Sequence, residues 1–204
     1  MDPGLPTGTV TLLFSDIEGS TSLLRRLGEF YADALSAERS LMRRAFERWH
    51  GRELGTEGDS FFVVFPSVGD AVNAVLQAQR DLARHAWPAG ERVRVRMGLH
   101  TGEPVRHEDG YIGIDVHLAA RGDGRDPGRQ VVLTEATQRI WSGQPLPGVS
   151  MLDLGRHRLK DIPESVRLYQ LVADGLRSSA ATPTRPAIWV HITSAEVTDS
   201  SGTK

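Results

Sequence analysis

The stretch LLFSDIEGSTSLL, residues 12–24, sets a carboxylate directly after an apolar run and just before Gly19, Ser20 and Thr21. An acid at the end of a buried strand is costly unless a cation or a hydrogen-bond network compensates it. What Asp16 pairs with is therefore the first question that the sequence poses.

Working outward, residues 9–14 (TVTLLF) read as a buried strand: short, apolar and β-branched at the start. Over residues 30–49, Leu35, Met42, Phe46 and Trp49 follow helical spacing, and Gly51 supplies a stop. GRELGTEGDSFFVVF, residues 51–65, reads as a hairpin turning at Gly58-Asp59, with the apolar strand at 61–65. Ser67 is placed to cap a helix carrying Ala71, Val75, Ala78 and Leu82, which WPAG (87–90) breaks. RVRVRMGLHTG, residues 92–102, alternates, with Val93, Val95, Met97 and Leu99 inward and Arg92, Arg94 and Arg96 on a solvated face.

A helix is expected over 114–121, a strand over 130–134 and a short helix through Ile140. Two further strands are expected near 151–154 and 167–172. Strand, helix, hairpin, helix, strand is the ferredoxin-like βαββαβ order, an α+β fold with C-terminal additions. The domain is expected to span residues 1–172. Residues 173–204, rich in Ser, Thr, Pro and Ala, read as a linker or disordered tail.

Composition sets limits around this reading. The 204 residues are 39% hydrophobic and 25% charged, ordinary for a soluble globular protein. A formal charge of −2 gives no bulk electrostatic case for nucleic acid or a membrane surface. The arginine row has no interleaved aromatics, which again speaks against nucleic acid. No cysteine is present, so thiolate metal sites are excluded. The first eight residues lack signal-peptide features, and no apolar run approaches the ~20 residues of a membrane span. The expectation is a cytoplasmic protein.

A second acid answers the first. Asp59 sits at the hairpin tip, and in a ferredoxin-like sheet the central hairpin lies beside the first strand. Two converging carboxylates repel, and a hard divalent cation resolves the repulsion. Gly19, Ser20 and Thr21 open a helix whose free N–H groups suit phosphate. Together these point to nucleoside triphosphate chemistry by a two-metal route. The plainer reading stands beside it: Asp16 caps a helix and Asp59 supports a turn.

FSDIEGST (14–21), GTEGDSFFVVF (55–65), VRMGLHTGE (95–103) and YIGIDVHLAAR (111–121) resemble, in order, the signature blocks of class III nucleotide cyclase catalytic domains. LGRHRLKDIPESVRLYQLV (154–172) resembles their C-terminal strand pair. The resemblance implies that Asp16 and Asp59 hold two Mg²⁺ or Mn²⁺ ions, helped by the Ile17 carbonyl. It implies an ATP or GTP substrate and a head-to-tail homodimer, with metal acids from one chain and transition-state groups from the other. Arg121 matches the arginine that stabilises charge on the phosphate. Lys160 lies where some members place a lysine on the triphosphate, although a solvated edge-strand lysine is the alternative.

Three positions depart from the family pattern. Gly55 stands where members often carry a purine-reading lysine, and Gly110 where its acidic or threonine partner lies, with Asp109 adjacent. His117 replaces the transition-state asparagine; it either donates to the ribose ring oxygen or serves only the interface. His100 reads as structural. Base recognition by Gly55 and the neighbouring Thr56 is stripped of a dedicated side-chain pair, which implies weak separation of ATP from GTP. The alternative is a catalytically idle dimeric nucleotide-binding or regulatory domain that retains the fold.

Overall fold

A computed structural model describes residues 4–107, 110–121, 131–143, 146–160, 162–174 and 176. The elements run β1 (Val10–Ile17), α1 (Ser20–Leu27), a 3₁₀ turn (Gly28–Phe30), α2 (Tyr31–Arg48), β2 (Arg52–Glu57), β3 (Ser60–Phe65), α3 (Val68–Arg84) and β4 (Val95–Gly102). They continue with β5 (Val105–His107), β6 (Gly110–Ile112), α4 (Ile114–Arg121), β7 (Val131–Thr134), α5 (Glu135–Trp141), β8 (Val149–Arg158) and β9 (Ser165–Ala173). The expected tail falls almost wholly outside the described residues.

Seven strands form one sheet in the order β2-β3-β1-β4-β7-β9-β8. The first four are the ferredoxin-like arrangement: β1 lies between β3 and β4, antiparallel to both. β7 adds in parallel to β4, and β9 and β8 follow antiparallel. β5 and β6 make a separate two-stranded ribbon. The α+β fold expected from the sequence is the fold observed.

Period-two alternation divides the sheet into two apolar faces. Leu13, Ile17, Phe61, Val63, Phe65, Met97 and Leu99 face α2 and α3 in the main core. Val10, Leu12 and Val64 pack with Tyr111 and Ala119 on the opposite face, where α4 lies, and Phe14, Phe62 and Val116 border them. Ser67 caps α3 as its sequence indicates, its hydroxyl accepting from the Asp70 N–H at 3.0 Å. Among the described residues no helix is long and apolar enough to cross a membrane.

Two expectations changed. β1 runs through Asp16 to Ile17 because β4 pairs with it along its whole length, Asp16 opposite Arg96 and Ile17 opposite Val95. The arginine row is broken for the same reason. Arg96 faces Asp16 across the strands with its side chain only 17% exposed, so it does not belong to a solvated face.

Gly51 illustrates how tightly the main core closes. A Cβ there would lie 2.5 Å from the ring of Phe65, which is fully buried and packed edge-on against Phe46. Gly51→Ala should therefore cost about 1–3 kcal/mol of stability through overpacking. Urea unfolding measures it, and an unchanged midpoint would show that the ring has room to move.

Candidate active site

The β1–β3 ladder ends at Ser15 opposite Phe61. Asp16 is one residue beyond that pair on its strand, and Asp59 two residues beyond on the other. Gly58, with φ of 56°, and Asp59 close the hairpin as a two-residue turn between Glu57 and Ser60. Both acids line one cavity of about 700 Å³, together with Gly55, Thr56, Phe14, Phe62 and the α4 residues Val116 and Ala120. Sheet topology thus brings together two carboxylates that lie 43 residues apart in the chain.

Asp16 has a partner. The Arg96 guanidinium grips its carboxylate with two bonds, Nε donating to Oδ1 at 2.8 Å and Nη2 to Oδ2. A bidentate charge-assisted pair is among the stronger side-chain contacts. Arg96 was not among the residues singled out, because alternation alone gives it to solvent; its position opposite Asp16 depends on register.

Glu38 is a second residue that the sequence reading passed over. It lies on α2 with 0% exposure, and neither carboxylate oxygen has a hydrogen-bond partner among the described residues. Burial pushes its carboxyl up to about 8; repulsion from Asp59 adds to this, while Arg39 and Arg43 oppose it. Arg39 donates to the Gly58 carbonyl at the hairpin tip, and Arg43 clamps Glu53 of β2 at 2.8 and 2.9 Å. The Arg43 bonds hold Glu53 below the usual carboxylate range. α2 therefore fixes the hairpin that carries Asp59.

The other expected site residues separate into groups. Thr56 lines the cavity, with its hydroxyl donating to Glu53. Gly19 caps α1 in the left-handed region, and Ser20 and Thr21 open that helix as expected. Gly19 lines a different cavity of about 460 Å³, with Arg26, Arg92 and Arg94. The Ile17 side chain is buried in the main core. His117 is exposed on α4 and does not line the Asp16–Asp59 cavity, nor does Lys160, just past the edge strand β8. Arg121 ends α4; its side chain, like Asp109, lies outside the described residues.

His100 is buried, as its structural reading requires, with Nε2 2.8 Å from Asp115 Oδ1 on α4 and Nδ1 2.8 Å from Thr134 Oγ1 on β7. Burial holds its pKa below the usual value and Asp115 opposes that shift. Neutral imidazole satisfies both contacts by donating to Asp115 and accepting from Thr134. Hydroxyls of Thr137, Thr101 and Thr11 extend the chain across the sheet.

Residues 5–172 match the family described as the adenylate and guanylate cyclase catalytic domain. The chain belongs to that family. A receptor-type adenylate cyclase of Leishmania donovani is 30% identical over 86% of this chain and 16% of its own length. An uncharacterized protein of Mycobacterium tuberculosis is 34% identical over 84% of this chain, which spans 59% of that relative's length. A structure of a Trypanosoma brucei adenylate cyclase in its monomeric state superposes with a TM-score of 0.79 at 28% identity, covering 88% of this chain and 94% of that one.

The Glu38 carboxyl gives the domain a pH signature. Its folded pKa, about 8, exceeds the ordinary 4.5. The folded state therefore holds the proton more tightly than the unfolded one, and stability falls as pH rises through that window, levelling above it. Glu38→Gln should remove this slope, which is on the order of several kcal/mol in total. Urea titrations at pH 6 and pH 9 test it: the variant should gain on the parent at the higher pH. Parallel profiles would place the titration elsewhere.

Proposed function

We propose that this domain converts ATP, and GTP with little discrimination, to the 3′,5′-cyclic nucleotide and pyrophosphate. The observation that carries the reading is the convergence of Asp16 and Asp59 on one cavity of nucleotide size. Among the described residues no cluster of three or more metal-ligating side chains exists. Two carboxylates suit Mg²⁺ or Mn²⁺ nonetheless, because Mg²⁺ is commonly held by one or two acids with substrate phosphates completing its shell. Asp16 and Asp59 would hold two such ions, with the Ile17 carbonyl assisting.

Bound there, the ions would lower the pKa of the ribose 3′-hydroxyl and offset charge on the triphosphate. The chain's own part is placement. The β1–β3 and β2–β3 ladders fix the acids, and Arg96 balances Asp16 until a cation takes up that charge. Arg121 would meet charge developing on the α-phosphate, and His117 the ribose. His117 leaves α4 on its exposed side, which fits delivery into a partner's cavity. Val105 and Ile112, paired on the β5–β6 ribbon, and Ile114, at the start of α4, are exposed apolar residues, 63%, 53% and 52% accessible, and support a homodimer. The second reading, an idle regulatory dimer, draws on Gly55, Gly110 and His117.

Asp16→Ala and Asp59→Ala should each abolish cyclic-nucleotide formation from ATP or GTP with Mn²⁺, and circular dichroism should show the fold intact. Product formed at the parental rate by either variant sinks the metal assignment. Absence of product from the parent itself, with both triphosphates and both metals, favours the idle dimer.

The shared site makes a separate demand. An Asp59→Ala chain mixed with an Arg121→Ala chain should regain activity, since one of the two mixed sites carries no substitution. Confirmed heterodimers no more active than either variant alone would overturn the division of labour between chains.

A further inference from the structure

On the sheet face toward α4, Val10, Leu12, Phe14 and Asp16 of β1 stand opposite Gly102, His100, Gly98 and Arg96 of β4. His100 is therefore flanked by two glycines on the surface that α4 covers, and its imidazole is the one side chain that β4 presents between them. Asp115, in the first turn of α4, meets that ring with Oδ1 2.8 Å from Nε2. Gly102 leaves room for the same carboxyl, since a Cβ there would fall within bonding range of it. On the far side of the ring Thr134 Oγ1 lies 2.8 Å from Nδ1, so the imidazole cannot turn without breaking a second bond.

The other α4 contacts are apolar. Val116 and Ala119 pack with Leu12 and Tyr111, and Leu118 packs with Val132, Leu159 and Leu168. Apolar burial is non-directional; it sets how closely a helix lies but not its rotation about its own axis. A hydrogen bond is directional, and the one from Asp115 to buried His100 fixes that rotation. An α-helix turns by roughly 100° per residue, which puts positions 117 and 121 about 200° and 240° from Asp115. They share one helix face, a turn apart, on the side away from the sheet that Asp115 grips. His117 is exposed accordingly.

Resting on the cyclase reading above, we propose that Asp115 is a positioning residue of the reaction: gripped by His100 in the socket that Gly102 leaves open, it sets the rotation of α4 that presents His117 and Arg121 to the reacting nucleotide. Asp115 touches no substrate itself. On that reading the metals and nucleotide are held from β1 and the β2–β3 hairpin. Loss of the grip should therefore reach the chemical step and spare binding.

The test follows kcat and KM of the full chain with ATP and Mn²⁺, with kcat counted per site that binds 3′-deoxy-ATP, which lacks the attacking hydroxyl. Asp115→Ala should lower kcat about tenfold to a hundredfold and leave KM within about twofold. Gly102→Ala keeps both partners but drives the carboxyl from its socket. It should give the same pattern, so the result does not hang on one variant's folding. Asp115→Asn still offers an oxygen to neutral imidazole and should keep kcat within about threefold of the parent.

A second readout is independent of turnover. The chain has no cysteine, so nitroxides on His117→Cys and on Arg80→Cys, an exposed position of α3, report a single distance by pulsed electron paramagnetic resonance. Labelled chains are diluted with unlabelled ones. The distance distribution should be narrow on the parent background and with Asp115→Asn, and should broaden or shift with Asp115→Ala and Gly102→Ala. An active parent whose kcat survives both alanine variants, a kcat lost equally in Asp115→Asn, or distances equally narrow throughout would each overturn this proposal alone. No product from the parent, with ATP or GTP, overturns the cyclase reading and this proposal together.

Discussion

Strand β1 is hydrogen-bonded on both edges, to β3 from Thr11 to Ser15 and to β4 from Val10 to Ile17. A strand paired on both sides and buried on both faces has no freedom of register, since a slip of one residue would exchange its two apolar sets. Leu13 and Ile17 would leave the α2–α3 core, and Leu12 would leave the α4 face. The position of Asp16 follows from that constraint. So does its neighbour Arg96, and so does the hairpin tip that carries Asp59.

The charges around the site are arranged at a cost. Asp16 is balanced by Arg96, and Glu53 by Arg43, each through paired bonds. Glu38 has no such compensation although it is fully buried, and it stays protonated near neutrality in consequence. On the other face, His100 and Asp115 tie α4 to the sheet through a satisfied buried chain. The carboxyl that the Asp59 charge bears on is thus unsatisfied, whereas the helix carrying His117 and Arg121 is tied to the sheet by a complete network. Buried polar groups that are fully paired rigidify a structure, and unpaired ones destabilise it.

Much of this was legible in the sequence. The strand-helix-hairpin-helix-strand order, the cap at Ser67 and the turn at Gly58-Asp59 are local signals, and each was found where its pattern placed it. That Asp16 and Asp59 border one cavity was legible once a ferredoxin-like order was assumed, because that order fixes strand neighbours. Arg96 was not. Alternation gives the face on which a side chain lies but not what stands opposite, and a partner 80 residues away in sequence depends on register. Glu38 escaped because one acid on a helix with charged neighbours looks like any solvated position. Only packing shows that it turns inward.

Glycines show the same limit from the other side. Gly102 and Gly55 are indistinguishable as letters, each lying in a strand of the seven-stranded sheet. At Gly102 a Cβ would fall 2.4 Å from the Asp115 carboxyl carbon, so the absent side chain is what lets α4 approach and Asp115 reach His100. At Gly55 the same atom would meet nothing. One glycine is required by a neighbour that is present, and the other leaves open space beside a half-covered aromatic ring. Substitution at Gly102 must therefore displace the Asp115 carboxyl or the helix that bears it. At Gly55 a side chain would extend into open space beside the cavity. The first position belongs to the architecture of the fold and the second borders an open cavity, a distinction carried entirely by what surrounds them in space.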